Sequence, residues 1–223
     1  MMRTFERDLP KGYQLKRVVD EKSVESQVWL NIFGLLVMLS IIVPVFLLML
    51  PNLKASEGVS IWVFLAFILG IIVYIFLHEL THGVTGYILI KQKPKFGINS
   101  SVAYCYFEGL YLYRAVSIIT LLSPFVVFSV AFLLPAILCK NAVVKFLFWL
   151  FFSVHFGGCM GDLFDAYLLI FKFRANDTLM LDDGPKQSFF VKGEKTKIGG
   201  KREKPEQIGI RQSEQIKIED IEH

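Results

Sequence analysis

Charge is what much of this chain lacks. Only 20% of its 223 residues are charged against 54% hydrophobic, and mean hydropathy is +0.51. Two stretches, Gln27 to Leu50 and Ala115 to Cys139, hold almost no ionisable side chain. That counts against a transporter, whose path spreads ionisable groups over several spans. Cysteine is scarce: Cys105, Cys139 and Cys159 are an odd number without paired spacing, which argues against a disulfide framework and leaves them as small apolar filler. No internal repeat is present. The first 26 residues lack the pattern of a cleavable signal peptide, because Arg3, Glu6, Arg7, Asp8, Lys11, Lys16, Arg17 and Asp20 crowd them. The net charge of +4 needs no nucleic-acid partner to explain it.

What is there is apolar length. Four runs are long enough to cross a hydrocarbon core about 30 Å thick, which takes roughly 20 helical residues. They cover about Gln27–Leu50, Ser60–Ile90, Ala115–Cys139 and Ala142–Phe171. Lys and Arg gather in the N-terminal segment, after the second run (Lys91, Lys93, Lys95, Arg114) and beyond Lys172. By the positive-inside rule both termini face the cytoplasm. The expected fold is an all-α multi-pass protein of the cell membrane with four transmembrane helices. Its parts are a cytoplasmic lead (1–26), the membrane domain (27–173) and a largely disordered cytoplasmic tail (174–223), whose far end is charged and free of aromatics. Between the second and third runs, Val102, Tyr104, Tyr106, Tyr111 and Tyr113 alternate around Glu108–Gly109. That period of two predicts a short β-hairpin. Ser123–Pro124 predicts a kink in the third helix, and Asp182-Asp183-Gly184 a turn.

The second run carries HELTH, residues 78–82, where ionisable groups are costly and point to function. Residues four apart share a helix face, so His78 and His82 can offer ring nitrogens to one ion, with Glu79 beside them. This is the H-E-x-x-H arrangement of two zinc ligands and a glutamate base. The bland alternative is a polar patch joining helices by hydrogen bonds. A catalytic zinc takes three protein ligands and keeps one position open. The fourth run offers HFGGCMGDLFD, residues 155–165. Counted from the outer ends, His78 lies 18 residues past Ser60 and Asp162 lies 20 past Ala142. At about 1.5 Å per residue these depths match. Asp162 is the expected third ligand, with Asp165 and His155 as rivals. Gly157 and Gly161 on one helix, with Gly83 and Gly86 on the other, are expected to let the two backbones approach.

HELTHG, the hairpin-like segment leading to LLSP, GGCMGDLFD and NDTLMLDDG together resemble the family of small multi-pass bacterial membrane proteins described as putative zincin peptidase. The resemblance covers about Gly70 to Phe190. It implies His78 and His82 as zinc ligands, Glu79 as catalytic acid and base, and Asp162 as the third ligand. The layout is also similar to the site-two intramembrane metalloproteases, which cleave transmembrane substrates near the cytosolic side. The fourth run departs from theirs in lacking N-x-x-P and in having leucine after the aspartate. The expected activity is zinc-dependent hydrolysis of peptide bonds in membrane-associated protein substrates, with the hairpin edge holding an unwound segment. Tyr104, Tyr106 and Arg114 are candidates to help polarise the carbonyl, and nothing in the sequence chooses among them; the equal alternative for this segment is an interfacial loop anchored by its aromatics. The alternative is a non-catalytic metal-binding membrane protein or an interaction scaffold.

Overall fold

The computed structural model describes residues 3–20, 24–55, 61–98, 103–184 and 186–193. Ser60, Val102 and the tail beyond Gly193 lie outside them. Helices α1 (Val24–Ala55), α2 (Ile61–Ile90) and α3 (Arg114–Leu138) are each long and apolar enough to cross a membrane. Helix α4 (Ala142–Gly158) and helix α5 (Met160–Tyr167), which runs on into a π turn at Leu168–Lys172, meet that test together as one run bent by 43°. The helices turn apolar side chains outward: Leu48 is 78% and Trp62 75% exposed. A water-soluble protein would bury such a surface, whereas a bilayer covers it. Helix α4 starts where the Asn141 side chain accepts from the Val143 and Val144 amides, at 3.0 and 3.1 Å. Helix α3 continues through both Pro124 and Pro135.

The protein is not all-α. Strands β1 (Phe5–Glu6), β2 (Tyr13–Asp20), β5 (Tyr111–Tyr113), β6 (Leu179–Asp182) and β7 (Lys186–Lys192) form one antiparallel sheet in the order β1-β5-β6-β7-β2. Strands β6 and β7 are therefore folded rather than part of a disordered tail, and β1 and β2 of the lead are folded too. The physical reason is a buried face. Phe189 is fully buried and its cross-strand partner Met180 nearly so, against Val19, Leu121, Leu168 and Leu169. The turn expected at Asp182-Asp183-Gly184 is present: Gly184 has φ +83°, and its amide donates to Asp182 Oδ1 at 2.9 Å.

The hairpin is displaced from its expected place. Strand β3 (Lys95–Ile98) pairs with β4 (Ala103–Tyr106), with Lys95 opposite Tyr106 and Gly97 opposite Tyr104. Strand β5 instead joins β1 and β6. The Glu108–Gly109 turn exists, with Gly109 at φ +64° and the Leu110 amide on the Phe107 carbonyl at 3.1 Å. Phe107, Leu110 and Leu112 are all buried against Ile90 and Val116, so this turn is pinned inward and sends the chain to the other sheet. All the strands adjoin one set of helix ends: the starts of α1 and α3, the end of α2 and the end of the fourth run.

Candidate metal centre

Helical spacing puts His78 and His82 on one face of α2, with ring centroids 5.0 Å apart. Asp162 reaches them from the first turn of α5, just past the bend. His78 Nε2 lies 3.1 Å from Asp162 Oδ2, and His82 Nε2 lies 3.4 Å from Asp162 Oδ1. One ligand atom from each lies within 4.8 Å of the other two. The three residues are largely buried but face a cavity of about 140 Å³, which Glu79 also lines. The remaining walls come from β4 (Ala103, Tyr104, Cys105), from α3 (Ser117, Thr120, Leu121) and from β6 and β7 (Met180, Asp182, Gln187).

The bend that aims Asp162 follows Gly157 and Gly158. Gly157 packs against Gly34 of α1 so closely that a Cβ on either would stand 2.6 Å from the other's carbonyl oxygen. The expected pairing of Gly157 with the α2 glycines is therefore corrected. Gly83 makes room for Phe96 and Cys105 of the hairpin, and Gly86 for Phe107. Small residues let backbones and rings approach here as they do in membrane helix pairs generally, but the partners are α1 and the β3–β5 segment.

The orientation of His82 has a covalent origin. In a helix the amide of residue 124 would bond to the carbonyl of residue 120, but Pro124 has no N–H. The Thr120 carbonyl is left to other donors, and His82 Nδ1–H donates to it at 2.8 Å, as does the Ser123 hydroxyl at 2.8 Å. With its one proton on Nδ1, the ring presents a lone pair at Nε2. That lone pair faces a carboxylate oxygen, so the pair needs a cation between them, either a proton or a metal ion. Outer-shell bonds of this kind are the usual way a ligating histidine is oriented.

The two rivals for third ligand lie elsewhere. Asp165 is buried and lines the same cavity, but it does not join the converging atoms. His155 is fully buried beneath the site, 2.9 Å from the Tyr74 hydroxyl, which is itself 3.1 Å from His78 Nδ1. His78, His155 and Cys159 form a second close group. Tyr74 and Thr120 have no place in the sequence reading. Tyr74 was detectable as the residue one turn before His78 on the same face, and Thr120 as the carbonyl that Pro124 leaves unpaired.

The donor set fits zinc. Two imidazoles and a carboxylate are its usual catalytic ligands, and atoms about 2.0–2.1 Å from a tetrahedral ion stand about 3.3 Å apart. The observed separations of 3.1 and 3.4 Å, which run to the two different oxygens of Asp162, are of that order. No curated protein and no solved structure matches the chain. A family model described as putative zincin peptidase matches residues 71–177, from the middle of α2 to just beyond the fourth run. That stretch, which holds His78, Glu79, His82 and Asp162, is similar to the family described as putative zincin peptidase.

Proposed function

We propose that the protein is a zinc-dependent, membrane-embedded endopeptidase that cleaves membrane-associated protein substrates near the cytoplasmic side of the cell membrane. The observation that carries the reading is the convergence of His78 Nε2, His82 Nε2 and both Asp162 oxygens beside a cavity that also holds Glu79. His78, His82 and Asp162 would hold the ion. Bound zinc supplies an acidified water and a Lewis acid for the scissile carbonyl. Glu79 takes the proton that the attacking water gives up and returns it to the leaving nitrogen. The β4 segment lines the cavity, and one edge of this strand has no partner strand among the described residues. An unwound substrate segment can pair there, backbone to backbone, with its carbonyl over the ligand set. The cytoplasmic orientation of this end is supported by the strands and most of the described Lys and Arg sharing one set of helix ends.

The test is zinc content and peptidase activity of the detergent-purified chain. We expect about one zinc per chain, lost in Asp162→Ala, as three-ligand sites demand. We expect Glu79→Gln to keep the metal while kcat falls by about 10²–10⁴-fold, the usual share of general acid–base catalysis. Zinc kept by Asp162→Ala but lost on removing Asp165 or His155 would reassign the third ligand. Zinc with no activity sensitive to Glu79→Gln would mark a non-catalytic metal-binding membrane protein, and a folded protein without zinc would overturn the reading.

A further inference from the structure

Beneath the ligand set runs a line of polar groups that the proposed mechanism does not use. His78 Nδ1 lies 3.1 Å from the Tyr74 hydroxyl, and that hydroxyl lies 2.9 Å from His155 Nδ1. His155 Nε2 lies 3.2 Å from the Phe125 carbonyl and 3.3 Å from the Ser129 hydroxyl. The rings of Phe128 and Phe132 pack around Tyr74 and His155, and His155 has no exposed surface. Nothing about peptide hydrolysis alone requires a second histidine and a tyrosine here.

The direction of every bond in this line follows from its far end. A carbonyl can only accept, so His155 Nε2 carries a hydrogen. A buried imidazole with a carbonyl, hydroxyls and a thiol around it holds a single proton, because an unpaired buried charge costs too much. His155 Nδ1 is then an acceptor. The Tyr74 O–H donates to it, and the Cys159 thiol points at the same atom at 3.5 Å. Having spent its one hydrogen on His155, the Tyr74 oxygen must accept from His78, so His78 Nδ1 carries a hydrogen. His78 Nε2, like His82 Nε2, is then the nitrogen that faces Asp162 and shares a proton or a metal ion with it. The Tyr74 hydroxyl occupies both His78 Nδ1 and His155 Nδ1 by hydrogen bonding.

We propose that Tyr74 and His155 are positioning residues: they pass the polarity of the Phe125 carbonyl to His78 and fix the tautomer in which its Nε2 can bind a metal. Together with the Thr120–His82 bond, this makes helix α3 the element that sets both histidine ligands of α2. The inference rests on His78 being a metal ligand, but the bond directions can be read without any metal.

The test uses the full chain in detergent. The sequence has only four histidines, so ¹⁵N-histidine labelling gives a spectrum assignable by substitution. In the metal-free protein we expect a hydrogen on His78 Nδ1, none on His155 Nδ1 and one on His155 Nε2. A bare His78 Nδ1, or a hydrogen on His155 Nδ1, overturns the proposal. In chelator competition we expect Tyr74→Phe and His155→Leu to weaken zinc binding by about 10–100-fold, the usual cost of losing an outer-shell partner. His155→Asn, whose Oδ1 can accept where Nδ1 did, should recover most of it. Tyr74→Phe binding zinc as tightly as wild type overturns the proposal even if His155→Leu misfolds. Wild-type protein that shows the expected hydrogens but binds no zinc removes the peptidase reading and leaves the relay standing.

Discussion

At the scale of single residues, the site is built from main-chain carbonyls on α3 as much as from the charged side chains of α2 and α5. Pro124 illustrates this. Proline inside a helix normally counts as a defect, because it removes one bond and crowds the preceding turn. Here the carbonyl it leaves free is the partner of His82 Nδ1, so the defect orients a candidate ligand. Pro124→Ala would return an amide that competes for the Thr120 carbonyl. We expect that variant to fold, with its helix stabilised by the restored bond, and to bind zinc about tenfold more weakly, at the low end of outer-shell losses. Equal zinc affinity in chelator competition would mean that the carbonyl serves both donors without conflict. At this scale the sequence was readable wherever spacing alone decides. His78, Glu79 and His82 are fixed by helical periodicity, and the matched depth of Asp162 follows from counting residues. Tyr74 and Thr120 needed a further step, since their roles depend on which way a hydrogen bond runs rather than on where a residue falls.

At the scale of elements, the bend between α4 and α5 does for Asp162 what helical spacing does for the histidines. A straight fourth helix would carry Asp162 along the α4 axis, whereas the chain bends by 43° after Gly158 and the Asp162 side chain in the first turn of α5 meets His78 and His82 of α2. Contact between Gly34 and Gly157 allows α1 to lie against the helix just before that bend. Gly157→Ala would place a methyl group 2.6 Å from the Gly34 carbonyl, against backbone that cannot turn aside. We expect a loss of about 1–3 kcal/mol, typical of overpacking, read as a lower Tm in detergent, together with weaker zinc binding as Asp162 shifts. An unchanged Tm and zinc affinity would show that α1 moves away freely. The same region marks a limit of sequence reading. Gly-x-x-x-Gly announces a close approach without naming the partner, and α2 offered glycines that fit equally well. The sheet was harder still. Leu15 of β2 pairs with Phe190 of β7, and a strand whose partner lies some 170 residues away leaves no local trace. Asp183-Gly184 between Leu179–Leu181 and Ser188–Val191 is a strong hairpin signal. The charged run that follows masks it when the whole tail is weighed by composition.

At the scale of the molecule, every strand and the mouth of the cavity lie at one set of helix ends, and the loop between α3 and α4 lies at the other. Which end faces the cytoplasm decides what the candidate site can reach, and three native cysteines are placed to answer. Cys139 caps the end of α3 and is partly exposed. Cys159 is fully buried. Cys105 stands in β4 at the sheet end, and burial pushes its thiol up to about 12. Maleimide chemistry runs through the thiolate, so at neutral pH Cys105 reacts far more slowly than an ordinary exposed thiol. The native chain is therefore close to a single-label reporter of the α3–α4 loop. With both termini cytoplasmic, a membrane-impermeant maleimide added to intact cells should label the chain, and Cys139→Ser should abolish that label. A reference cysteine at exposed Lys11, in the Cys139→Ser background, should react only in inverted vesicles. Cys139 protected in intact cells, with the Lys11 position labelled there instead, would turn the molecule over. The zinc site would then open to the opposite face, and cytoplasmic proteins would drop out as substrates. The gathering of Lys and Arg at the sheet end argues for the first outcome, because moving that charge across an energised membrane is what the positive-inside bias opposes.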